Sequence, residues 1–226
     1  MSNTRKELYD LSRTIDTEHF RWHIKLETST EELTNRKFTT SHLALTSHCF
    51  THIDAFRHTI PDAQSIDLMP IDGFVGDGYV ADLSYKERNE EITAEDLKKF
   101  EGKIKAGEIL ILSTQWDSKI DFNIEEFWDY APYISYKAAE WLVSKKLKAV
   151  GYDFPQDYEI RGRENPFRHD EIAWPLHELL PSHKTYQIEY LKIPKEVLSQ
   201  RVQIIALPLK LKNLDGSPAR VICYLK

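Results

Sequence analysis

The sequence is poor in cysteine, in long hydrophobic runs and in excess positive charge, and each shortage excludes a class of protein. Two cysteines, Cys49 and Cys223, are too few for a disulfide framework or a cysteine-rich zinc module, which favours a reducing cytoplasm. No stretch approaches the roughly 18 apolar residues of a membrane span, and the polar N-terminus lacks the apolar core of a secretory signal. With 30 Lys and Arg against 36 Asp and Glu, the chain has no broad basic surface for nucleic acid. We expect a cytoplasmic protein that binds neither membrane nor nucleic acid.

The pattern of apolar residues predicts an α/β fold. With 226 residues, 41% of them hydrophobic and without an internal repeat, the chain is expected to form one domain over residues 1–226. Runs rich in β-branched and aromatic residues predict strands at 74–83, 108–112, 149–152, 202–207 and 219–224. Helices are predicted at 93–100, where Thr93 and Asp96 form a capping pattern, at 135–143, and as one turn at 194–198. We expect a single domain with a mixed β-sheet and packed helices.

Histidine is abundant in this sequence, with nine residues in 226. Three of the nine, together with one aspartate, fall within eleven residues. His48, His52, Asp54 and His58 follow the pattern H-x3-H-x-D-x3-H. Imidazole and carboxylate bind divalent metals, and a site of two histidines and one aspartate leaves positions open for water and substrate, as catalytic sites do. A strand would separate His48 from His52 by roughly 13 Å, and a helix would point Asp54 away from them. We expect the segment to turn, with a break near Ile53.

A second pair of candidate ligands lies far downstream. His177 lies among apolar neighbours, and Glu189 follows twelve residues later inside an Ile/Leu segment. A carboxylate in apolar surroundings is costly unless it is paired or bound to a metal. Taken alone, each residue fits an N-cap, a salt bridge or a surface role. Together with the first cluster, they predict the remainder of a metal site.

The order of these motifs resembles the cyclase family of metal-dependent hydrolases, whose members include kynurenine formamidases and isatin hydrolases. Segment 48–58, with Thr51 before the second histidine, is similar to the family signature H-x-G-T-H-x-D-x-P-x-H. The resemblance extends through most of the chain. It includes the D-L-S start at 10–12, the helix and strand at 92–116, the G-x-D strand at 151–153, the pair His177 and Glu189, and the D-G-x-P-x-R turn at 215–220.

Membership of this family implies a swivelling β/β/α-type fold and a site for one or two divalent ions, Zn or Mn. The resemblance implies that His48, His52 and Asp54 bind one metal, that Asp54 bridges, and that His177 and Glu189 complete a second site. It assigns His58 the role of acid/base beside the metal-bound water. Metal-bound water with a pKa near 7 would supply hydroxide, and an uncoordinated imidazole can move the proton. The implied reaction is hydrolysis of an amide, formamide, lactam or related carbonyl compound.

The chain departs from the family pattern at three positions near the predicted site. Phe50 and Gln115 stand where the family has glycine, and Phe56 stands where it has proline. Because glycine permits backbone conformations that other residues avoid, Phe50 predicts a shifted loop.

Three residues are candidates for substrate binding. The aromatic side chains of Phe56 and Trp116 could line the pocket, although a core role explains them equally well. Arg161, in an Arg-rich stretch with Arg163, could hold a substrate carboxylate, although a surface salt bridge is an alternative.

Other functions stay open at this point. His52, Asp54 and His177 also fit the two-His, one-carboxylate triad of Fe(II) oxygenases, which would leave His48, His58 and Glu189 unused. A structural zinc in a non-catalytic binding module is another interpretation, and so is a solvated loop of polar residues. The expected partner is a small-molecule substrate, and the family resemblance suggests a homodimer or homotetramer.

Overall fold

A computed structural model of the chain describes residues 7–161 and 174–226. Its strands are β1 (Leu8–Asp10), β2 (Lys25–Leu33), β3 (Arg36–Ala44), β4 (His52–Asp54), β5 (Val75–Asp82), β6 (Glu91–Ile92), β7 (Ile109–Ser113), β8 (Tyr133–Ile134), β9 (Ala149–Tyr152), β10 (Tyr186–Glu189), β11 (Arg201–Pro208) and β12 (Gly216–Leu225). Its α-helices are α1 (Ala94–Lys98), α2 (Glu125–Asp129), α3 (Tyr136–Ser144) and α4 (Pro175–Ser182).

Seven strands form a closed, barrel-like sheet in the order β12-β11-β5-β7-β9-β10-β4, and β4 pairs back with β12. Strands β5, β7, β9 and β10 run parallel to their neighbours in that series, whereas β11, β12 and β4 pair antiparallel. Strand β1 adds to the outer side of β12. The predicted mixed sheet in a single domain is therefore confirmed, and the swivelling β/β/α arrangement stays a prediction.

Successive side chains of a strand point to opposite faces of the sheet, so the buried apolar residues form two clusters. On β7, Ile109 and Ile111 join a cluster that receives side chains from all seven barrel strands. Leu110 and Leu112 point the other way and pack with residues of the four α-helices. This period of two is the pattern of a strand buried on both faces. One core thus fills the barrel, and the other lies between its outer surface and the helices.

Local capping explains where the two predicted helices begin. Thr93 accepts a hydrogen bond from the Asp96 amide, and the Asp96 side chain accepts from the Thr93 amide, which is a complete capping box. Ser135 caps α3 through the amide of Ala138. All five predicted strands and both of these helices are confirmed, and the predicted turn at 194–198 is the 3-10 turn Lys195–Val197.

Strands β2 and β3 form a separate two-stranded hairpin. Its turn residues Thr34 and Asn35 both have positive φ, at 48° and 64°, which suits the tight turns of two-residue hairpins. Every residue of both strands is exposed. Among the described residues, moreover, the helices are too short or too polar to cross a bilayer.

Candidate metal centre

Register between β4 and β10 brings three predicted ligands together. Glu189 lies opposite His52, while Ile53 between the two ligands of β4 points into the barrel core. His52 Nε2 lies 3.3 Å from Asp54 Oδ1 and 3.6 Å from Glu189 Oε2. Its other nitrogen, Nδ1, is 2.8 Å from the Phe50 carbonyl oxygen. That contact fixes the ring so that Nε2 faces the two carboxylates.

Helix α4 supplies the fourth predicted ligand. His177 Nε2 lies 3.5 Å from Asp54 Oδ2 and 3.4 Å from Glu189 Oε1. Asp157 holds the other side of this histidine, because its Oδ2 is 2.6 Å from His177 Nδ1. The same carboxylate accepts hydrogen bonds from the backbone amides of Leu176 and His177 in the first turn of α4. Asp157 therefore orients both the helix and the ring.

His48 and His58 lie beside this group with their rings 3.9 Å apart. His48 Nδ1 is 2.7 Å from Asp54 Oδ1, and its Nε2 is 3.1 Å from Asp215 Oδ2. His58 Nδ1 is 3.8 Å from the same Asp215 oxygen, beyond hydrogen-bond distance. The segment turns, as predicted, and brings both histidines and Asp54 to one place. The predicted break near Ile53 is wrong, because Ile53 lies within β4, and the left-handed backbone is at Phe50 instead.

The buried carboxylates and imidazoles shift one another's pKa values. Burial by itself lowers the pKa of His48, but carboxylates led by Asp54 outweigh it and raise that pKa to about 9. Burial also lowers the pKa of His177, and Glu189 and Asp157 reverse the shift and raise it to about 10. Burial, with the charge of Asp54, raises the pKa of the Glu189 carboxyl. Positive charge is therefore strongly favoured at this centre.

The donor set fits a divalent cation. Asp54 Oδ2 is buried and has no hydrogen-bond partner among the described residues. Ligand atoms of His52, Asp54 and Glu189 lie within 4.8 Å of one another, as do those of His48, Asp54 and His58. An orphaned carboxylate oxygen inside a protein costs free energy unless a cation compensates it. Mixed imidazole and carboxylate ligands suit Zn or Mn.

A pocket of about 980 Å³ opens over these residues. Its aromatic wall consists of Phe20, Trp22, Trp174 and Tyr190, and His48, His52, His58, His177 and Glu189 form its polar side. Arg21, Thr46, Glu159 and Arg161 add further polar groups to the lining, so aromatic rings on one side face convergent polar groups on the other, as in many small-molecule sites.

The three predicted substrate-binding residues have different positions. Phe56 stacks on Tyr186 in the barrel core, with ring centroids 5.1 Å apart, and Trp116 is 1% exposed and donates from Nε1 to the Phe127 carbonyl. Neither residue lines the pocket. Arg161 does line it, but its guanidinium donates to the Asn89 side chain and to the carbonyls of Asp129 and Ala131. Arg163 lies outside the described residues.

Two departures from the family pattern keep a glycine-like backbone. Phe50 has φ 50° and Gln115 has φ 52°, in the left-handed region that glycine favours. The Phe50 ring is 2% exposed and packs against Trp22, with ring centroids 4.6 Å apart. The side chain that replaces glycine at residue 50 is therefore absorbed by aromatic packing, while the backbone still aims its carbonyl at His52.

Several residues that support the centre could not be assigned a role from the sequence. Asp157 and Asp215 each contact the outer nitrogen of a ligand histidine. Gln156 donates a hydrogen bond to Glu189. The sequence shows that Asp157 follows Asp153 by four residues and that Asp215 begins the terminal turn. It does not show their contacts with the histidines, because those depend on tertiary packing.

Known proteins share both sequence and fold with this chain. Residues 9–156 match the family described as putative cyclase. Kynurenine formamidase of Bacillus anthracis is 29% identical over 180 residues, covering 80% of this chain and 77% of that protein. The enzyme of the same name from Bacillus cytotoxicus is 28% identical over the same shares.

Solved structures agree in fold. Isatin hydrolase A from Labrenzia aggregata has a TM-score of 0.80 at 20% identity, covering 97% of this chain and 93% of that one. A potential metal-dependent hydrolase with cyclase activity has a TM-score of 0.70 at 24% identity, covering 97% and 98%. The predicted resemblance is confirmed: the chain belongs to the cyclase family, and it is an enzyme of the hydrolase class.

Proposed function

We propose that this chain uses a divalent metal to hydrolyse a C–N bond of an amide, formamide or lactam. The observation that carries the proposal is the convergence of Asp54, Glu189, His52 and His177, with one Asp54 oxygen that has no hydrogen-bond partner in the described part of the chain. The names of the relatives support the bond type, since a kynurenine formamidase and an isatin hydrolase both act on amide-type bonds.

His48, His52, Asp54, His177 and Glu189 are the residues that would hold one or two ions. When bound, a divalent ion lowers the pKa of coordinated water from 15.7 to about 7 and polarises a carbonyl oxygen. Two of the proposed ligand histidines are held in position by hydrogen bonds to their second ring nitrogens. The Phe50 carbonyl and Asp157 fix the rings of His52 and His177, so that the Nε2 atoms face the carboxylates.

His58 is the proposed acid/base. Burial lowers the pKa of this imidazole, and together with positive charge on His48 and His177 in the metal-free protein it outweighs the carboxylates of Asp54 and Asp215. A largely neutral imidazole at pH 7 can accept a proton from water and later donate it to the leaving nitrogen. His58 lines the same pocket as His52 and Glu189, which places the proton carrier beside the proposed ligands.

The aromatic wall supports a substrate with a flat apolar part. Phe20, Trp22, Trp174 and Tyr190 offer ring faces and edges on which an aryl group can pack. We therefore propose aryl formamides and benzo-fused lactams as the substrate class.

Metal analysis combined with a substrate panel tests the proposal. Protein purified without added metal is analysed for Zn, Mn and Fe, and is assayed with an N-formyl arylamine, a benzo-fused lactam and an aryl lactone. We expect bound Zn or Mn, hydrolysis of at least one C–N substrate, and loss of turnover after chelation. Protein that binds no divalent ion, or that cleaves only the lactone, would contradict the proposal. Turnover that requires O2 would favour the oxygenase alternative.

We also propose that the chain forms a homo-oligomer through the β2–β3 hairpin. A two-stranded hairpin with both faces exposed is marginal in water. Over residues 7–161 and 174–226 its outer edges pair with no further strand, and an unpaired edge is a template for another strand. Leu26 pairs with Leu43 across the hairpin, and both are half exposed, as is Phe38. Light scattering should give a dimer or tetramer, and Phe38→Asp with Leu43→Asp should shift it toward monomer. A monomeric wild type would contradict this proposal.

A further inference from the structure

The turn before β12 lies against the outer side of His48. Asp215 Oδ2 is 3.1 Å from His48 Nε2, and Asp215 Oδ1 accepts a 2.8 Å hydrogen bond from the Ser47 hydroxyl. The Asp215 backbone carbonyl also accepts from the Ala55 amide at 2.8 Å. Asp215 is therefore held on both sides of the stretch from His48 to Asp54, its carboxylate by Ser47 and its backbone carbonyl by Ala55.

Gly216 provides the space for the imidazole. A Cβ at this position would lie 2.7 Å from His48 Cε1 and 2.9 Å from the Ile53 carbonyl oxygen, closer than real Cβ contacts allow. Gly216 also lies opposite Asp54 in the pairing of β12 with β4. The turn thus combines an acceptor for Nε2 with a gap that only glycine leaves.

We propose that Asp215 and Gly216 form a positioning element for His48 as a metal ligand. If the Nε2 hydrogen is donated to Asp215, the Nδ1 lone pair lies on the side that faces Asp54, 2.7 Å away. Fixing a ligand histidine through its second nitrogen orients the ring and increases its basicity. His52 and His177 already have such partners in the Phe50 carbonyl and Asp157, so Asp215 completes the set for the third histidine. This inference rests on the proposed metal-dependent function.

Metal affinity, measured by competition with a chromogenic chelator, tests the inference on the full chain. Asp215→Asn should weaken Zn²⁺ or Mn²⁺ binding by about 10- to 100-fold, the usual effect of removing an outer partner of a ligand. Asp67→Asn is the matched control, because Asp67 anchors the same turn through the Asn213 amide without touching a histidine. We expect the control to bind metal within about threefold of wild type, since it leaves the outer partners of the ligand histidines in place.

A double-variant cycle separates positioning from general loosening of the turn. In a His48→Ala background, Asp215→Asn should cause little further loss of affinity, because the residue through which it acts is gone. Equal losses in both backgrounds, or equal affinities of Asp215→Asn and Asp67→Asn, would overturn the inference. Gly216→Ala should also weaken metal binding. Its affinity is compared with wild type after a cooperative thermal transition has shown that the variant is folded. A wild type that binds neither ion would overturn the proposed function itself, whereas binding without sensitivity to Asp215 overturns only this inference.

Discussion

The carboxylates of Asp153 and Asp54 are both almost completely buried, and their surroundings differ in kind. Asp153, just after β9, is 0% exposed and accepts hydrogen bonds from the Ser113 hydroxyl, the Thr114 amide and hydroxyl, and the Gln115 amide. Asp54, at the end of β4, is 3% exposed and has one oxygen without a partner among the described residues. Within the described residues, Asp153 has hydrogen-bond donors for both of its oxygens, whereas Asp54 has them for one.

Their pKa values move in opposite directions. Burial raises the pKa of Asp153 to about 6, because its hydroxyl and amide donors are neutral and offset burial only in part. Burial would also raise the pKa of Asp54, but hydrogen bonds and charge from His48 and His52 hold it well below its usual range. A buried carboxylate with neutral donors serves the fold, whereas one surrounded by imidazoles and missing a donor is prepared for a cation.

Asp54→Asn should have the largest effect on function. The change removes the carboxylate that lies between His48, His52 and His177, so metal content and turnover should both fall to background. Asp153→Asn is the matched control, since it alters a buried aspartate of the other kind. Metal analysis and assay of the two variants should separate them completely. Retention of stoichiometric metal by Asp54→Asn would remove the basis of the comparison.

His58→Ala should have the next largest effect. Removal of a general acid/base slows turnover by about 10²- to 10⁴-fold, and the side chain is not among the proposed ligands, so metal content should stay unchanged. Steady-state kinetics with metal analysis on the same sample measure both quantities. Full turnover in this variant would show that the proton passes through another group.

Asp153→Asn should lower the free energy of unfolding rather than turnover. Asparagine presents an NH2 group to donors that need an acceptor, and a buried donor left unpaired costs about 1–3 kcal/mol. Urea unfolding at pH 7 measures the loss, and metal content should remain that of wild type. Metal loss in this variant would mean that the two regions are not independent.

The pH dependence of that loss tests the raised pKa. Between the ordinary aspartate pKa and about 6, folded Asp153 holds a proton that the unfolded chain has released, so wild-type stability falls as pH rises. Asparagine does not titrate. The stability gap between wild type and Asp153→Asn should therefore shrink by about 2 kcal/mol from pH 4.5 to pH 7. A gap that widens would show that the four donors outweigh burial.

Five of the seven barrel strands could be predicted from the sequence, and so could the residues that converge at the candidate metal centre, but not the residues that support them. β5, β7, β9, β11 and β12 have apolar runs bounded by turn residues, so each could be located locally. The short strand β4 could not, because its three residues pair only after β10 and β12 are in place. The candidate ligands His48, His52 and Asp54 followed from residue type and spacing, and the resemblance to the cyclase family added His177 and Glu189.

The outer partners of the ligands could not be predicted in the same way. Asp157 and Asp215 are ordinary aspartates until packing aligns them with ring nitrogens. The backbone conformation of Phe50 could not be predicted for a related reason. The sequence shows only that phenylalanine replaces the family glycine, whereas the aromatic residues that pack against it at positive φ, including Trp22 and Phe122, come from distant segments.

Gln115→Gly should have the smallest effect on the free energy of unfolding. It tests how far Asp153, the carboxylate with protein donors, depends on the side chain of its neighbour Gln115. Glycine relieves a left-handed backbone that costs about 1–2 kcal/mol and keeps the amide that donates to Asp153. It loses the side-chain hydrogen bonds to the Ser113 hydroxyl and the Ile193 carbonyl, worth about 1 kcal/mol each. These changes nearly cancel, so urea unfolding should differ from wild type by no more than about 1 kcal/mol, with unchanged metal affinity. A loss above about 3 kcal/mol would show that Asp153 depends on the Gln115 side chain as well as on its backbone.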